Sequence, residues 1–82
     1  MAMSDREVLT EWYLDQSEKC KGYIRSNQEW ISALNEFREK YAHSWKIVEA
    51  CRELIFYHTK SIQEEVMEIE SLRKTIDELN RI

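Results

Sequence analysis

Between Val48 and Leu79 the chain repeats every seven residues. The a positions of this heptad are Val48, Ile55, Ile62, Ile69 and Ile76, and the d positions are Cys51, His58, Glu65, Leu72 and Leu79. Alternating steps of four and three residues predict an α-helix with one narrow apolar stripe, the pattern of a coiled coil. A helix cannot bury such a stripe against itself. It needs a second helix, from the same chain or another. β-Branched residues at a with Leu at d favour two parallel strands, so these ten positions are the expected oligomer interface.

The same register runs back to the N-terminus without a slip. Upstream a positions are Arg6, Tyr13, Cys20, Asn27, Leu34 and Tyr41; d positions are Leu9, Gln16, Tyr23, Trp30, Phe37 and Ser44. The chemistry here is aromatic or polar instead of aliphatic. The flanks broaden too, with Ile24, Ile31, Trp45, Ile47 and Leu54 at e or g. A wider apolar face meets more than one neighbour. The middle of the chain therefore predicts a helical bundle with Trp30, Leu34, Phe37 and Tyr41 in its core.

Ser4-Asp5-Arg6-Glu7 is a capping box that starts a helix, with Met3 and Val8 placed for a hydrophobic staple. Two places could turn the chain. At Gly22 a glycine can end a helix, and Ser26 with Glu29 can restart one. The segment Tyr41-Ala42-His43-Ser44 would instead make two nearly equal helices, but it holds no Gly, Pro, Asn or Asp. The first is the expectation: a short helix over 5–21, a long one over 27–80, and a zipper over 45–82. Two copies would form a four-helix bundle leading into a parallel dimeric coiled coil. The repeat is still running at Ile82, which suggests that it continues in a longer chain.

Composition agrees with an all-α protein. The 82 residues include no proline and one glycine, and 34% are charged. Turns of strand-rich folds need Gly, Pro and Asn, and long helices are built from such charged and aliphatic residues. One domain is the upper bound. The net charge is −4, and no basic stripe offers phosphate an electrostatic partner. Basic-zipper proteins place a basic helix before the zipper; here that stretch is Trp45-Lys46-Ile47-Val48-Glu49-Ala50. Nucleic acid is not an expected partner, and no apolar run predicts a membrane span. Two cysteines, Cys20 and Cys51, are too few for a disulfide framework. They read as small apolar residues of a reducing compartment, cytoplasmic or nuclear.

Candidate chemistry is sparse. His43 and His58, with the two cysteines, match no zinc spacing. His58 and Glu65 at successive d positions read as polar core residues that fix register and oligomer number. Glu64, Glu65, Glu68 and Glu70 read as a solvated acidic face. No phosphate loop or nucleophile elbow is present. Phe56 and Tyr57 stand out at b and c, the outer side of the zipper helix, where an aromatic pair needs a cover. They are the expected docking point for the N-terminal helix or for a partner. The chain as a whole reads as a non-enzymatic oligomerisation or protein-interaction module of a scaffold or adaptor complex, without cofactor or metal. It would pair with itself as a parallel homodimer and with another protein. The alternative is a self-contained helical hairpin that regulates a protein target through its aromatic face.

Overall fold

A computed structural model describes residues 4–82, which form two long antiparallel helices: α1 (Asp5–Lys40) and α2 (Trp45–Arg81), 36 and 37 residues long. Residues 41–44 join them. The Cα trace extends 63 × 21 × 11 Å, so the molecule is a rod one layer thick. Its radius of gyration is 18.6 Å, against about 12 Å for a compact chain of this length.

The start of α1 follows the sequence signal. Ser4 is the N-cap, and its Oγ accepts from the Glu7 backbone N–H at 3.3 Å. The Glu7 carboxylate turns to the Ser4 hydroxyl, which donates to it at 3.2 Å. Asp5 and Glu7 face the positive end of the helix dipole, with Arg38 and Lys40 at the negative end. The staple partner Met3 lies outside the described residues.

The expected break at Gly22 does not occur. Helix α1 runs straight through it, and Gly22 has no positive φ. A glycine inside a helix costs only about 1 kcal/mol relative to alanine, which packing along a 36-residue helix readily offsets. The turn falls instead at Tyr41–Ser44. There the Tyr41 N–H donates to Phe37 O at 3.1 Å, the Ser44 N–H to Tyr41 O at 3.0 Å, and the Val48 N–H to Ser44 O at 3.0 Å. Ser44 is the N-cap of α2, though its side chain makes no capping bond. Local turn chemistry is weak here, and length matching decides. A turn at 41–44 gives every heptad of α2 a facing turn of α1, whereas a turn near 22 would leave half of α2 bare. The short-plus-long arrangement is thus replaced by two equal helices.

The inner faces explain which residues meet. Along α2, half-buried or buried positions recur at Val48, Cys51, Ile55, His58, Ile62, Glu65, Ile69, Leu72, Ile76 and Leu79, with the g residues Ile47, Ser61 and Thr75 half-buried beside them. The a/d stripe of the zipper thus packs on α1 of its own chain, with the g row along its edge. Along α1 and its C-cap the half-buried or buried positions are chiefly Thr10, Tyr13, Ser17, Cys20, Ile24, Asn27, Ile31, Leu34, Arg38 and Tyr41, with Gln16 and Asn35 at the margins. Most are a and e rather than a and d. The e residues Ile24 and Ile31 displace the d aromatics because aliphatic side chains fit the seam between two close helices. Trp30 and Phe37, expected in a bundle core, are 57% and 47% exposed, while Leu34 and Tyr41 lie at the seam.

Gly22 gives a direct check of the continuous helix. A Cβ added there would meet nothing within 4 Å. Gly22→Ala should therefore stabilise the hairpin by about 1 kcal/mol and raise the melting midpoint by roughly 4–8 °C. A loss of stability in a thermal melt would place the chain reversal back at residue 22.

Candidate functional site

The seam contains a polar bridge. Asn27 on α1 and His58 on α2 meet side chain to side chain, with His58 Nδ1 2.7 Å from Asn27 Oδ1. The orientation of the amide follows from its other end, where Asn27 Nδ2 donates to Tyr23 O at 2.9 Å. Oδ1 is left as the acceptor, so His58 Nδ1 carries the hydrogen. The Trp30 ring covers the imidazole, nearly parallel at 4° with centroids 5.7 Å apart, and Tyr57 meets it edge-on at 5.3 Å. One half-buried amide–imidazole pair, roofed by an indole, thus ties the two helices together at a single level.

One heptad away, Cys20 of α1 faces Glu65 of α2. Burial pushes the Cys20 thiol up to about 11, helped by a hydrogen bond to Glu65 and by the negative charges of Glu65 and Glu68. A thiol so placed stays protonated at neutral pH and is a poor nucleophile. Asn27–His58 and Cys20–Glu65 define the register: seven residues back along α1 are seven forward along α2. The same step sets Tyr13 level with Leu72, and Leu34 level with Cys51. Among the described residues, Leu72, Cys20 and Cys51 are the buried core. Both cysteines are free.

Other polar residues on the seam satisfy themselves locally. Thr10 and Thr75 donate to the carbonyls of Arg6 and Ser71, at 2.8 and 3.1 Å. Among the described residues no buried side-chain nitrogen or oxygen lacks a partner.

Outside the seam lies a large apolar surface. On one side of the hairpin, Tyr23, Trp30 and Phe37 occupy successive d positions of α1, all exposed. Heptad geometry sets beside them the g residues of α2, including Ile47 and Leu54, then Tyr57 at c. The Trp30–His58–Tyr57 stack joins the two helices across this face, and Phe37 leads on to Tyr41 with ring centroids 4.6 Å apart. An open cleft of about 260 Å³ beside Trp30 is lined by Ser26, Glu29 and Ala33. Phe56 and Tyr57 are 71% and 63% exposed, so α1 covers neither. They also part company: Tyr57 joins the aromatic face, whereas Phe56 lies on the opposite flank of α2, towards Trp45. Sequence reasoning placed the α1 d aromatics inside; the aliphatic e residues Ile24 and Ile31 were the signal that the seam is shifted.

A second cleft, about 430 Å³, opens at the free end of the hairpin among Arg6, Glu7, Thr10, Glu11 and Asn80. Among the described residues no group of three or more His, Cys, Asp or Glu could hold a metal ion. No helix of the described residues is long and apolar enough to cross a membrane. Comparison with protein-family models, with curated proteins and with solved structures finds no match.

The polar bridge makes an asymmetric prediction. Asn27→Ala leaves the half-buried His58 donor without its partner and should cost about 1 kcal/mol in a denaturant melt. Replacing both residues by Leu should restore most of that loss, because no half-buried polar group is then left unpaired. Equal losses in the single and double variants would show that the bridge carries no pairwise energy.

The Cys20–Glu65 contact has a pH signature. Because the thiol titrates at about 11 in the folded chain against an ordinary 9.0, the unfolded chain gives up its proton first. The contribution to stability is complete below about pH 9 and is lost as pH rises toward 11. In a Cys51→Ala background, Glu65→Gln should lower the Cys20 pKa, yet leave it above 9.0, since burial is the largest cause. Ultraviolet absorbance of the thiolate reads the titration.

Proposed function

We propose that this chain is a non-enzymatic helical protein-interaction module, an oligomerisation or scaffold element that works through its exposed aromatic face. The observation that carries this reading is the unpartnered row Tyr23, Trp30 and Phe37 with Leu54 and Tyr57 beside it, all exposed. Tyr and Trp are the side chains from which interface anchors are made, because they bury much area at little entropic cost. The total surface supports the same reading. The chain exposes 6827 Å² at a mass of 10.0 kDa, roughly 1,600 Å² more than a monomer of that mass ordinarily shows. A rod this thin buries little of its own surface, and the aromatic row is part of what it leaves exposed.

No catalytic residue is assigned. The titratable side chains of the seam serve the fold: His58 bridges to Asn27, and Glu65 bonds the Cys20 thiol. The two free, buried thiols suit the reducing interior of a cell, cytoplasmic or nuclear.

A closed hairpin that grips a target protein is the second reading. Its support is that α1 already covers the zipper stripe of α2, so the hairpin needs no second chain to hide Val48 to Leu79. Both readings use the same face. A photoreactive side chain in place of Tyr57 tests them together. In cells it should form adducts with another copy, with a different protein, or with both. Absence of any protein adduct, with the same probe at exposed Gln63 as background, would remove the interaction-module reading.

A further inference from the structure

We infer that the occupant of the aromatic face is a second copy of this chain, docked with its turn at the same end, so that α1 of each copy lies on α2 of the other in an antiparallel four-helix bundle. This rests on the reading above and names the partner.

The first support is area. A stable dimer hides about 800 Å² on each partner. The whole rod exposes roughly 1,600 Å² more than a compact monomer of equal mass, so covering one of its two flanks is enough to supply an interface of that size. The apolar row runs through three heptads of α1, from Tyr23 to Phe37, long enough to seat a parallel layer rather than a single side chain.

The second support is charge. On this face the d and g positions of α1 from Leu9 to Lys40 carry two ionisable charges, Lys19 and Lys40, both positive. The g and c positions of α2 from Ile47 to Glu78 carry three, Glu64, Glu68 and Glu78, all negative. One half of the face is cationic and the other anionic. A two-fold axis parallel to the helices lays each half on its opposite. Because Cys20 faces Glu65 within one chain, Lys19 stands within a turn of the level of Glu64 and Glu68, and so meets those residues of the partner. Trp30 then lies over the partner's Leu54 and Tyr57. The other face-to-face two-fold sets the turns at opposite ends and stacks α1 on α1. Centred on Trp30, it brings Lys19 over the partner's Lys40, like on like. Among the described residues Lys19 pairs only with Asp15, at 3.3 Å and with both side chains more than half exposed. Such a surface pair contributes little, so Lys19 is free to turn across an interface.

A charge swap between two variants tests the arrangement. Lys19→Glu and the double variant Glu64→Lys/Glu68→Lys each change exposed residues only, and circular dichroism checks that both stay helical. Sedimentation equilibrium of the full chain should show two copies for the wild type. Either variant alone, meeting like charges at both symmetry-related sites, should dissociate about tenfold more readily. An equimolar mixture of the two should regain the wild-type association, because both sites are then complementary. A wild type that sediments as one chain at its highest soluble concentration overturns the inference. If Tyr57 adducts to another protein form all the same, the interaction-module reading survives without it; if no adducts form, both fall. A wild-type dimer whose association neither variant weakens overturns the pairing of α1 on the partner's α2.

Discussion

Register between the two helices is the constraint on which everything else depends, and the Asn27–His58 bridge pins it. Aliphatic seams are tolerant. Val48, Ile55, Ile62, Ile69 and Ile76 present nearly the same side chain every seven residues, so sliding α1 by one heptad would keep most apolar contacts. A slide would separate an amide on one helix from an imidazole on the other, both half-buried and without each other as partner. The net loss for one such hydrogen bond is about 1 kcal/mol, enough to matter against the stability of a small domain. The bridge therefore selects one alignment from several that hydrophobicity alone would accept, the role that polar core residues play in coiled coils.

From that alignment the surface follows. With α1 turned so that a and e face the seam, its d aromatics are carried to one flank, next to the g row of α2. Two helices enclose only a narrow core, and here Tyr23, Trp30, Phe37 and Leu54 remain exposed outside it. Trp30 stands in two environments at once. One face of its ring lies along the His58 imidazole, and the rest of the side chain is exposed. A partner seated there would also dry the bridge beneath it and strengthen its hydrogen bond.

Much of this was legible in the residues. The zipper residues of α2 do lie on the side that α1 covers, although the pattern assigned them to an interface with a second copy and gave no sign that the g residues Ile47, Ser61 and Thr75 would be half-buried beside them. The Ser4 cap was readable because it depends on four neighbouring residues. The turn was not. Gly22 and the Ser26–Glu29 pair form a convincing local stop and start, yet each is compatible with a helix interior, and the penalty is small against the packing of a continuous α1. The true turn at 41–44 has no local signature; it is set by the equal lengths of the two helices it joins. The face of α1 was misread for a related reason. Tyr23, Trp30 and Phe37 are the more hydrophobic-looking row, but close helices accept Ile24 and Ile31 more readily than large rings. The aromatic surplus at Phe56 and Tyr57 was visible as an oddity, though the two residues prove to serve opposite flanks.

The turn without a breaker has a consequence for topology. Nothing in Tyr41-Ala42-His43-Ser44 opposes helical dihedrals, so straightening it sacrifices only a few backbone hydrogen bonds and gains others. Two straightened chains laid head to tail would rebuild every Asn27–His58 and Cys20–Glu65 contact between chains instead of within them. Hairpin and exchanged dimer share the same seam and differ mainly in concentration dependence, which is the physical condition for domain swapping. A glycine or proline at the turn would penalise the straight form. Its absence means that the turn itself sets no barrier of this kind, and crowding of the chains would then tip any balance between folding back and exchanging partners.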